Sequence, residues 1–86
     1  MPTKTTADEA KRLVNGHSVK AIREALGHRG GEFAIRCTIS HAYLSNVEAG
    51  RKQPSAAVAR RIADELGVPL TAITYPVPAG AKVSAA

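Results

Sequence analysis

Residues 40–52 read Ser-His-Ala-Tyr-Leu-Ser-Asn-Val-Glu-Ala-Gly-Arg-Lys. Wound at 100° per residue, they send Leu44 and Val47 to one side of a helix. His41, Ala42, Ser45, Asn46 and Ala49 go to the other. That second face is short and polar, with no long apolar group. A helix with such a face can enter the roughly 12 Å major groove of duplex DNA and meet base edges there. Asn46 can bond adenine bidentately, and His41 can donate to a guanine acceptor. The methyl of Ala42 can touch a thymine methyl, and Ser45 can bond a base or a phosphate. Taken alone, the same face also suits a plain solvated helix. Its flanks shift the balance towards nucleic acid. Arg51 and Lys52 follow at once, where a chain leaving the groove passes a phosphate backbone. Arg29, Gly30 and Gly31 precede the helix before it. Glycines there let the backbone come close, and N–H groups at a helix start favour an anion.

The elements that must hold this face are legible as caps, stripes and stops. Thr6 and Glu9 fit a capping box for a short helix over residues 7–14, ended by Asn15-Gly16. Ser18 is placed to cap the next helix. Val19, Ile22 and Leu26 share one face of it, and Gly27 ends it in a left-handed position. A short helix follows over 31–37, with Phe33 and Ala34 inward, and then a turn at Thr38-Ile39. Ser40 caps the helix that runs to about residue 49, and Ile39 and Leu44 are spaced as a hydrophobic staple. Gly50 closes that helix. Pro54 keeps Gln53 out of helical conformation, and Ser55 caps a helix to residue 66. Val58, Ala59, Ile62, Ala63 and Leu66 form its core stripe, with Arg60–Asp64 and Arg61–Glu65 paired outside. Gly67 stops it. Residues 70–74 can add a last helical turn, and the Pro, Gly and Ala content from Pro76 onward reads as a loose tail. No strand pattern and no internal repeat stand out.

The chain has 86 residues, enough for one small domain, and a net charge of +5 from twelve Lys and Arg against seven acids. The basic balance favours a polyanionic partner. A single Cys excludes an internal disulfide and suits a reducing cytoplasm. No apolar run approaches membrane-spanning length. No catalytic constellation is visible, since His17 and His28 fall in loops without a Ser or acidic partner. An enzyme is therefore not expected, nor a cofactor. Cys37 and His41 lie four apart, but the turn between them breaks the helix and two ligands do not complete a zinc site. Cys37 is better read as a core thiol, and no metal is expected.

Residues 27–40, GHRGGEFAIRCTIS, followed by SHAYLSNVEAGRKQPS and, over 58–73, VARRIADELGVPLTAI, resemble the lambda repressor/Cro-type helix-turn-helix family. The most specific piece is VEAGRKQPS with IADELGV downstream. The resemblance covers about residues 18–74. It implies an all-α, compact five-helix domain over 18–75, with an extra short helix or arm over 1–17 and a tail over 76–86. It also implies a regulator that binds a double-stranded DNA operator as a homodimer, with a Cro-like phage or mobile-element repressor as the nearest type. Ser40, His41, Ala42, Ser45 and Asn46 match positions that meet bases or nearby phosphates. Tyr43, Arg51 and Lys52 match positions near the backbone. Arg23 and Glu48 match an ion pair between the first and third helices of that domain. Two positions depart from the pattern. Gly30 stands where a glutamine often braces the recognition helix: either Arg29 and backbone N–H groups of Gly30 and Gly31 meet phosphate instead, or the docking differs. Thr38 stands at a turn usually held by glycine. An antitoxin that also holds a partner protein would use the same helix. A protein-interaction module that has lost DNA binding is the reading from another class.

Overall fold

The computed structural model describes residues 11–77. In chain order they form a strand β1 (Arg12–Val14) and the helices α1 (Gly16–Ala25), α2 (Gly30–Arg36), α3 (His41–Glu48) and α4 (Ala56–Leu66). A three-residue 3-10 turn (Leu70–Ala72) and a strand β2 (Thr74–Pro76) complete the order. The fold is mostly helical, but two expectations change. The last helix expected near 70–74 is only the 3-10 turn, so four α-helices stand among the described residues. The chain is also not all-α, because β1 and β2 pair antiparallel, Arg12 facing Pro76 and Val14 facing Thr74. The helix expected over 7–14 is therefore a strand at 12–14. Its proposed capping box at Thr6 and Glu9 lies outside the described residues, as does most of the expected tail.

The local reasons are visible cap by cap. Asn15, expected to stop a helix, begins one: its Oδ1 accepts the Ser18 N–H at 3.2 Å, so α1 starts at Gly16 rather than after Ser18. Ser40 Oγ accepts the Tyr43 N–H at 2.9 Å and Ser55 Oγ accepts that of Val58 at 3.2 Å, fixing the starts of α3 and α4. Thr38 takes the left-handed turn between α2 and α3 at φ 63°, the one non-glycine residue with positive φ among those described. A residue with Cβ is strained there.

The core is aliphatic apart from Phe33 and Cys37. Val19, Phe33, Cys37, Leu44, Val47, Ile62 and Ile73 are all fully buried, with Val14 of β1 packed among them. Leu26, placed on the inward face of α1 by its spacing, is half exposed instead and stands at the C-cap of α1. Ile39 packs on the core, as the staple spacing requires. Arg61, expected to face Glu65 along α4, reaches across the fold. Its Nε donates to the Cys37 carbonyl at 2.9 Å and ties α4 to the end of α2.

Candidate nucleic-acid interface

Leu44 and Val47 anchor α3, each about 1% exposed. The opposite face carries His41, Ala42 and Ser45 in the open, with Asn46 partly covered. A second anchor fixes the helix axis. Gly16, the first residue of α1, is buried against the last turn of α3. A Cβ there would stand 2.9 Å from both Cα and C of Glu48 and closer still to the Val47 carbonyl oxygen. The backbones of α1 and α3 are thus in direct contact.

Arg23 joins the same two helices by charge. Its Nε donates to Glu48 Oε2 at 2.7 Å and Nη2 to Oε1 at 3.0 Å, a fork on a carboxylate. Its Nη1 donates to the His28 carbonyl at 2.8 Å, which also draws in the loop after α1. Both side chains are about nine-tenths covered. The hydrogen bonds it donates to Glu48 raise the Arg23 pKa, against a lowering by burial. Glu48 is thereby held off the polar face, which leaves that face without a carboxylate.

At the start of α3 the imidazole of His41 lies over the two glycines of α2. A methyl added at Gly30 would stand 3.0 Å from Nε2, and one at Gly31 3.8 Å from Nδ1. The space that a side chain at residue 30 would fill is taken by His41. Arg29 is the exposed N-cap of α2 and makes no side-chain cap bond.

At the far end of α3 the basic loop folds back on the helix. The Asn46 carbonyl accepts the N–H of Arg51 at 2.9 Å and of Lys52 at 3.2 Å. The Asn46 side chain also takes part, its Oδ1 accepting from Arg51 Nε at 2.9 Å. The Lys52 ammonium sits 5.6 Å from the centre of the half-buried Tyr43 ring, a cation–π contact. So the loop cations Arg51 and Lys52 are tied to Asn46 and Tyr43 of α3, on the helix that also exposes His41, Ala42 and Ser45.

Some positioning residues carry no sequence signal. Gln53 is one: its Oε1 accepts the Val14 N–H and its Nε2 donates to the Val14 carbonyl, both at 2.9 Å. This amide pairs with β1 as a neighbouring strand would and pins the basic loop to it. Cys37 is fully buried, and burial pushes its thiol up to about 11, with Glu65 adding to the rise. Among the described residues no group of three or more His, Cys, Asp or Glu could hold a metal ion. No described helix is long and apolar enough to cross a membrane.

Residues 16–73 match a family model described as a helix-turn-helix domain. The chain belongs to that helix-turn-helix family. In the helix-turn-helix domain so defined, α2 and α3 are the paired helices and Thr38 stands in the turn between them. Among solved structures, the restriction-modification controller protein C.AhdI from Aeromonas hydrophila superposes with a TM-score of 0.64. It is 21% identical, over 66% of this chain and 86% of that one. The clp gene regulator ClgR from C. glutamicum gives 0.62 at 28% identity, over 65% of this chain and 73% of that one. No curated protein matches the sequence.

Proposed function

We propose that this protein is a sequence-specific double-stranded DNA-binding transcriptional regulator. It acts as a repressor that occupies an operator with α3 in the major groove, one copy on each half of a roughly palindromic site. The observation that carries this reading is the composition of the surface of α3. A short, polar, acid-free face is held out by two buried residues and bounded by cations. Base edges select the sequence through His41, Ala42, Ser45 and Asn46. Phosphates set the register through Ser40, Tyr43 and Lys52 on one flank and Arg29 on the other. No cofactor is needed for occupancy. The net charge of +5 supplies the long-range attraction. The two structural relatives are a controller protein and a gene regulator by name, which supports the same class.

The test is selection of duplexes from a randomised library, followed by affinity measurements on the enriched duplex over a salt series. An enriched, two-fold-related sequence is expected, with log affinity falling linearly in log salt. Lys52→Ala should weaken all duplexes alike and reduce the salt slope by about one. A library that enriches no sequence, or an affinity indifferent to salt, sinks the proposal.

A further inference from the structure

Arg51 follows the helix and its flanking glycine, a place where a cation ordinarily meets only a phosphate. Its side chain does not extend away from the helix. The Nε–H is given to Asn46 Oδ1 at 2.9 Å, and its backbone N–H goes to the Asn46 carbonyl at the same distance. Two bonds to one residue therefore fold Arg51 back onto α3, with its guanidinium hydrogen-bonded to the amide of Asn46. A guanidinium has five N–H donors in a rigid plane. Spending the Nε–H on Asn46 leaves the two terminal nitrogens with all of their donors. They form the edge that matches O6 and N7 of guanine bidentately. Asn46 keeps its amide N–H groups and one lone pair of Oδ1.

We infer that Arg51 is a guanine reader braced by Asn46, so that the two residues read adjacent base pairs as one unit. The inference rests on α3 lying in the major groove, as proposed above. A phosphate is met by the point charge of Lys or by the fork of Arg and asks for no neighbour to aim it, whereas the O6/N7 edge of one guanine demands a plane held in one place. The brace fixes the plane. It also couples the readers: Asn46 selects its own base and aims Arg51 at the next one. Arg51 is exposed, so its substitution leaves the fold intact.

The experiment uses the full chain and the duplex it enriches from a randomised library, with each base pair then varied singly. Arg51→Ala and Arg51→Lys should both lose discrimination at one G·C pair, by about 5- to 140-fold, the range of one bidentate contact. Arg51→Lys should keep the wild-type salt slope. Asn46→Ala should lose discrimination at its own position and at that same G·C pair. The inference is overturned if Arg51→Lys discriminates as the wild type does, or if Arg51→Ala weakens every duplex by one factor. It is also overturned if Asn46→Ala leaves the G·C preference whole. Failure of the wild-type chain to enrich any duplex is a different result. It removes the DNA-binding reading itself, and this inference with it.

Discussion

Gly16→Ala pits local propensity against packing. Gly16 opens α1, and Ala is the better helix former by about 1 kcal/mol, so helix propensity alone predicts a gain. Packing predicts a loss. The new methyl would sit 2.9 Å from the Glu48 backbone, where ordinary contact begins near 3.4 Å, and nearer still to the Val47 carbonyl. Glu48 must retreat by about 0.5 Å and Val47 by more. These are backbone atoms of a packed helix, not a rotatable side-chain end, so the cost belongs at the upper end of overpacking, about 3 kcal/mol. Subtracting the propensity gain leaves a net loss of about 2 kcal/mol. For a domain of this size that lowers the midpoint by about 8–16 °C. Thermal unfolding followed by the helical circular-dichroism signal measures it directly. A variant as stable as the wild type, or more so, would refute the claim that α1 and α3 touch through their backbones.

Glu48→Ala should cost about 3–5 kcal/mol in urea unfolding, because it strands a buried Arg23 without its carboxylate. A loss below about 1 kcal/mol would show the pair to be a surface feature. Gly30→Ala should leave the midpoint almost unmoved, since the neighbour it meets is the tip of His41, but should swing that ring away. The nuclear Overhauser contact between His41 and Gly31 reads this out, and its persistence in the variant contradicts the seating described. Cys37 should resist thiol reagents at neutral pH in the folded state and react once unfolded. Its folded pKa, about 11, lies above the ordinary 9.0, so the native state holds the thiol proton more tightly. The stability this confers is complete below about pH 9 and is lost as pH rises towards 11. Rapid labelling of the native protein at neutral pH would show the thiol to be open.

Caps and stripes made much of this fold readable. Ser40, Ser55 and Gly67 mark their helix ends by local chemistry, and the α4 stripe follows from its spacing. Asn15-Gly16 was ambiguous for a physical reason. Both residues suit either a stop or a start, and the choice is made by Val47 and Glu48, some thirty residues away. The strands leave no trace in the sequence because three residues show no periodicity, and because Thr6 and Glu9 give a stronger local signal for helix. Leu44 and Val47 oriented the polar face of α3 correctly in advance. The contacts within that face were not legible. Nothing in the spelling of residues 51–53 says that Arg51 turns back to Asn46, or that Gln53 clasps Val14.

The pairing of β1 with β2 has a mechanical consequence. Arg12 lies opposite Pro76, and beyond them the Val77 N–H reaches the Lys11 carbonyl at 2.8 Å. The chain therefore enters and leaves the domain at one corner. A pull between residues 11 and 77 loads this ladder from its outer rung and unzips it one hydrogen bond after another, instead of shearing all of them together. The clasp yields at low force, while the helices that carry the polar face lie behind it, outside the line of tension.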